Sequence, residues 1–234
     1  MKEEEAALRD QQLSVNQNRH QIYAFLSRMY EREITLDLLK ELTSESSPVL
    51  RISDSELSGD KGFRKGFELL RKYLVNASGR DLNQVKLELA VDYANLFLGV
   101  KGKPLHPSES VYRSKDHSMF QEYRDEVLFA YWKAHVDRVK EYTEPEDHIA
   151  IELQFMEYLC RKAVEAQEKN KKDEVRKYLL IQRGFVNDHL AKWVPQLTKD
   201  ILESADVDFY KGIAYLTSAF IELEKKTTWD FLEE

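Results

Sequence analysis

The 234-residue sequence predicts an all-α protein, and three observations carry that expectation. Glycine and proline are scarce, 8 and 5 in all, and long stretches contain neither, whereas a many-turned β protein needs turn residues every few positions. Apolar residues recur at helical spacing in segment after segment. No segment keeps the two-residue alternation of a half-buried strand; Leu96–Val100 comes closest and Gly99 ends it too early. With 42% hydrophobic and 11% aromatic residues the chain can bury a substantial core. The expected architecture is one globule of about nine or ten helices, a single domain over 1–234.

Taken in order, residues 1–14 read as a polar, frayed lead-in. Val15 to Glu31 places Ile22, Phe25, Leu26, Met29 and Tyr30 on one helical face, and Thr35 or Asp37 can cap a short helix ending near Leu42. Thr43 to Gly59, rich in Ser, Asp and Glu, reads as a loop with room for a short helix. Phe63, Phe67, Leu70 and Leu74 mark a helix that Gly79 ends, and Asp81 caps the next, which carries Val85, Leu89, Tyr93 and Phe97. Gly99 to Ser114, with two glycines and two prolines, reads as a long loop of the functional kind. Helix resumes from Lys115 to about Tyr142, with Phe120, Tyr123, Val127, Leu128 and Tyr131 as its stripe. Pro145, suited to a first helical position, opens a helix to Lys169 that presents Asp147 and His148 on its first turn, where carboxylates meet the positive end of the macrodipole. A polar hinge at Lys169–Asp173 leads to a helix ending near Leu190. Pro195 then breaks or kinks the path, and helices over 196–204 and 207–226 follow, with a peripheral tail from Thr227 to Glu234.

Composition also excludes functions. A formal net charge of −7 gives no general attraction to nucleic acid. No apolar run approaches the roughly 20 residues of a membrane span, and Met1–Gln12 is acidic and polar with no signal-peptide core, so a cytoplasmic protein without stable membrane insertion is expected. The single cysteine, Cys160, rules out an internal disulfide and reads as a small buried hydrophobe.

The densest polar cluster, Glu144-Pro-Glu-Asp-His148, invites a search for chemistry. His148 and Glu152 share a helix face, and with Asp147 they sketch a metal-dependent hydrolase. No His-Glu-x-x-His and no second Glu-x-x-His supports it. Gly-x-Ser-x-Gly and phosphate-loop motifs are missing as well. Neither catalytic residues nor metal ligands are therefore assigned. The aromatics fit another role. Tyr93, Phe97 and Tyr112 beside Glu109, Asp147 and His148 would make an apolar floor with an acidic rim, suited to a peptide carrying arginine.

Tyr93-Ala-Asn-Leu-Phe-Leu-Gly99 followed by Pro107-Ser-Glu-Ser-Val-Tyr112 resembles a paired signature of the TorD/DmsD chaperones. Glu144-Pro-Glu-Asp-His148 running into Glu152-Leu-x-Phe-Met156 is similar to that family's Pro-x-Asp-His segment, and Phe185-x-x-x-His189-Leu-x-x-Trp193-x-Pro195 and Phe209-Tyr210 match its C-terminal pattern. The likeness spans about 18–224. It implies a TorD-like helical chaperone, not an enzyme, that binds the twin-arginine signal peptide of a molybdopterin oxidoreductase precursor, in its apo form, until the molybdenum cofactor is inserted. The peptide-binding residues it implies are Tyr93, Leu96, Phe97, Pro107, Glu109, Ser110, Tyr112, Asp147 and His148. It implies no resident cofactor, although weak guanine-nucleotide binding occurs within the family. It allows contact with molybdenum-cofactor biosynthesis proteins, and a monomer or a domain-swapped dimer with its hinge near 142–145. A related role, assembly chaperone for respiratory nitrate reductase, fits the same likeness. Where some relatives carry Trp or Pro in the loop before Pro107, this chain has Val100, Lys101 and Lys103.

Overall fold

The computed structural model describes residues 2–51, 60–119, 122–136 and 144–226, and among them every regular element is helical. In chain order these are α1 (Lys2–Glu31), α2 (Leu36–Thr43), α3 (Pro48–Arg51), α4 (Lys61–Ser78) and α5 (Leu82–Tyr93), the last continued by a π-helical turn, Ala94–Leu98. Then come α6 (Glu109–Arg113), α7 (Glu122–Lys133), α8 (Ile149–Glu168) and α9 (Lys172–Phe185), a second π-helical turn at Val186–Leu190, α10 (Ala191–Ser204) and α11 (Asp208–Lys226). Several boundaries sit where local chemistry puts them. The Thr35 side chain accepts from Leu38 N, Asp81 from Asn83 N, and Gly79 closes α4. None of the helices is long and apolar enough to cross a membrane, among the described residues.

The chain divides into two units: Met1–Glu31 with Ser108–Lys192 and Glu224–Glu234, and Arg32–Pro107 with Trp193–Leu223. In the first unit α1 packs along α8, and so does α9. Tyr23, Leu26, Met29 and Tyr30 of α1 are buried, as are Leu153, Met156, Leu159 and Cys160 of α8. Burial pushes the Cys160 thiol up to about 12, so it stays protonated and inert at neutral pH. Ser27 Oγ donates to Ala150 O at 2.8 Å, which fixes the register of α1 against the start of α8. Arg19 donates from Nε and Nη2 to the two Glu224 oxygens at 2.8 and 2.5 Å, a forked geometry that holds a buried charge pair. In the second unit α4 and α11 cross closely at facing glycines: a Cβ on Gly66 would stand 3.0 Å from Gly212 O, and one on Gly212 3.0 Å from Gly66 O.

Five expectations change. First, α1 begins at Lys2, because Glu3–Glu5, Ala6, Ala7 and Leu8 are strong helix formers with acids at the right end. Second, among the described residues the helix foreseen over 115–142 is α7, Glu122–Lys133: His117 and His135, at φ 53° and 56°, turn the chain at either side, and residues 120–121 and 137–142 of that expectation lie outside the described residues. Third, the loop from Gly99 to Ser114 contains α6. Fourth, Pro145 does not open α8. It begins a turn in which His148 N donates to Pro145 O at 3.0 Å, and the helix starts at Ile149. Fifth, of the break or kink foreseen at Pro195 the break does not occur: Pro195 lies inside α10, in its second turn. The tail from Thr227 and most of the segment leading to the foreseen hinge lie outside the described residues.

Candidate functional site

The Ser108–Tyr112 stretch and the Pro145–His148 segment meet in the first unit. Ser108 stands at the N-cap of α6 in extended conformation, yet its side chain makes no capping bond. Asp147 supplies the cap instead, from 37 residues away. Its Oδ2 accepts from Ser110 N at 2.8 Å and its main-chain oxygen from Glu109 N at 2.9 Å. Ser108 and His148 form an isolated antiparallel bridge beside these bonds. A five-residue helix has too few internal bonds to form alone, so α6 exists because the Pro145–His148 turn receives its first amides. Asp147 is fully buried, at 0% exposure.

His148 serves the neighbouring helix. As the α8 N-cap it accepts from Ala150 N through Nδ1 at 3.2 Å. An accepting Nδ1 carries no proton, so the ring is neutral with its hydrogen on Nε2. Burial acts the same way, lowering the imidazole to about 4. The turn is braced from α7: Arg124 Nε donates to Glu146 Oε2 at 2.6 Å and Tyr131 Oη to Glu146 O at 2.9 Å.

Glu109, also at 0% exposure, is engaged on both oxygens. Oε1 accepts from Arg113 Nη1, one turn along α6. Oε2 lies 2.9 Å from His189 Nδ1, and since a carboxylate only accepts, Nδ1 is the donor. His189 belongs to the second π-helical turn and stacks on Phe185, with centroids 4.6 Å apart. Arg113 also donates to Asp188 O at 3.2 Å and lies over the Tyr123 ring at 4.2 Å. The result is a closed chain of partners from Asp188 and His189 through Glu109 and Arg113.

The remaining predicted residues fall in two places. Tyr112, half-buried, shares α6 with Glu109 and Ser110. Tyr93, Leu96, Phe97 and Pro107 belong to the second unit. There Tyr93 and Phe97 rings sit 4.9 Å apart and Tyr93 and Tyr210 rings 6.1 Å apart, around the first π-helical turn. Gly99 closes that turn at φ 74°, with Pro104 Cδ 2.8 Å from where a Cβ would stand, so only glycine fits. Leu105 N donates to Leu96 O at 2.7 Å, folding the loop back on the turn. Lys101, on the exposed part of that loop, pairs with Asp206 at 2.8 Å.

The structure therefore joins Glu109, Ser110, Asp147 and His148 directly, and gathers Tyr93, Leu96 and Phe97 separately. Sequence reasoning missed Arg113, whose i,i+4 spacing from Glu109 was the available signal, and the role of His189. Among the described residues no group of three His, Cys, Asp or Glu side chains is placed to hold a metal ion, which leaves the trio His148, Glu152 and Asp147 without geometric support.

The described residues thus form an all-helical fold whose acidic signature residues brace its own turns. The nitrate reductase delta subunit family model matches residues 57–199, and the chain belongs to that family, on its TorD-like chaperone branch. It is 28% identical over 211 residues to the chaperone protein TorD of Aliivibrio fischeri, covering 90% of this chain and 94% of the relative. The TorD chaperone of Photobacterium profundum is 26% identical, covering 91% and 94%, and that of a Vibrio cholerae serotype O1 strain (El Tor Inaba) is 28% identical, covering 94% and 96%.

Proposed function

We propose that this protein is a maturation chaperone for a molybdoenzyme. It binds the twin-arginine signal peptide of a molybdopterin oxidoreductase precursor in the cytoplasm and holds the apo-enzyme until the cofactor is inserted. The observation that carries the reading is likeness to TorD chaperones along nine-tenths of the chain, together with the joining of the two signature segments through Asp147. Of the residues the resemblance implies, the half-buried Tyr112 is the proposed peptide contact on α6, and the buried Glu109, Ser110, Asp147 and His148 act through its placement. With Glu109 and Asp147 enclosed and already bonded, their part is to set the position of α6 and its Tyr112.

Calorimetry with synthetic signal peptides of the organism's molybdopterin oxidoreductases tests this. A saturable complex that weakens when the paired arginines become glutamine is expected, and failure of every such peptide to bind rejects the reading. A second client class is favoured by the family's own description, nitrate reductase delta subunit: an N-terminal segment of respiratory nitrate reductase. Affinity capture of the client, identified by mass spectrometry, separates the two.

A further inference from the structure

The outward face of α7 is unusual. Glu122, Asp125, Glu126, Phe129, Trp132 and Lys133 are all exposed and recur at three- and four-residue spacing, so they form one stripe along a single helix. The opposite face carries the buried Val127 and Tyr131. Acids at the start and a lysine at the end are ordinary, since both suit the helix dipole. The aromatic pair is not explained that way. Trp132 is 69% exposed and Phe129 52%, their rings stacked at 5.8 Å and 20°, with Lys133 Nζ 4.3 Å from the Phe129 centroid. Two large rings held together in water mark a surface that gains by being covered.

Resting on the leader-binding reading, the geometry points to α7 as the docking face for that leader, with cationic residues on Glu122, Asp125 and Glu126 and apolar residues on Phe129 and Trp132. Charge complementarity selects the occupant. The acids are confined to the first turn and a half, and the cation of the stripe, Lys133, sits at the far end beyond the rings, so a peptide with its positive charge ahead of its apolar stretch fits in one direction only. Glu126 lies 3.6 Å from Arg113 Nη1 and is 53% exposed, open enough to take a second cation. Spacing sharpens the match. Six to ten helical residues separate the acids from Trp132, about 9–15 Å at 1.5 Å per residue. An extended peptide covers that span in about three to five residues. The leader engaged here is one whose arginines precede its first apolar side chains by that many positions.

The test uses the full chain and a fluorescently labelled twin-arginine signal peptide followed by anisotropy. Two variants are compared, Phe129→Ser with Trp132→Ser, and Glu122→Gln with Asp125→Asn and Glu126→Gln. All five positions are exposed, and circular dichroism verifies that both variants are folded. The ring variant is expected to bind at least tenfold more weakly at any salt concentration. The acid variant is expected to lose about tenfold at low salt and to show a flattened salt dependence. Wild type that binds while both variants stay within twofold of it overturns the α7 assignment and leaves the leader reading intact; wild type that takes up no such peptide overturns both. Ring substitution that alters sedimentation while leaving peptide affinity unchanged assigns the face to a second copy of the chain, and also overturns the proposal.

Discussion

Two acidic regions of the same unit behave oppositely. Around α6, Glu109 and Asp147 are wholly enclosed, and their bonds go to Arg113, His189 and the first amides of a short helix. Along α7, Glu122, Asp125 and Glu126 stand in water beside uncovered rings. Burial makes a carboxylate costly unless it is partnered; Glu109 is bonded through both oxygens and Asp147 through Oδ2 though not Oδ1, so the first set is committed to holding the fold. The second set is inexpensive to carry: Glu126 pairs loosely with Arg113 at 3.6 Å, and Glu122 and Asp125 are exposed to a visitor. Sequence alone ranks the enclosed pair as the more attractive ligand site, because both kinds of carboxylate look the same in one dimension.

The contrast predicts graded effects. The largest is expected for Arg113→Ala, which leaves the buried Glu109 carboxylate with His189 as its partner: about 3–4 kcal/mol lost in urea unfolding. A loss below about 1 kcal/mol would show Glu109 hydrated and the contrast false. Next is the pH response of His148. The folded chain holds it neutral to about 4, whereas an unfolded histidine takes a proton near 6.5. Its contribution is thus fully present above pH 6.5 and is lost as pH falls toward 4, by up to about 3 kcal/mol. His148→Asn, which retains a capping acceptor, should flatten that part of the stability profile relative to wild type; parallel profiles would refute the assignment. Asp147→Ala follows, at about 1–3 kcal/mol, because the Ser110 amide loses its acceptor in a buried setting. Asp147→Asn, which keeps an oxygen in place, should recover much of that loss. Smallest is Glu122→Gln with Asp125→Asn, expected to change stability by under about 0.5 kcal/mol, since neither side chain is buried. A larger cost would mean that the face is engaged in the isolated chain.

What the sequence made legible is local. Caps at Thr35 and Asp81, the glycine stop at Gly79 and the apolar stripes depend on neighbours a few residues away, and they appear where periodicity places them. What stays hidden depends on distant groups. Nothing within a few residues of Asp147 indicates that its carboxylate caps α6, although the resemblance puts both segments in one signature. Pro145 misleads because its fixed φ serves a turn as well as a first helical position. Neither π-helical turn has a composition of its own; each needs tertiary packing to retain the extra residue. The rings of α7 carry a similar ambiguity, since helical spacing gives a face but not which way it points: Val127 and Tyr131 are buried while Phe129 and Trp132 are not.

The widened turn over Val186–Leu190 has an evolutionary corollary. Such a turn is one residue longer than ordinary winding requires. Deleting a single codon there would restore regular winding, shifting the residues of the turn itself while the helices on either side keep their phase. His189 would swing away from Glu109 while the rest of the core stayed in phase. A descendant could thereby release the grip on α6 in one genetic step, with no change to any residue that makes the contact.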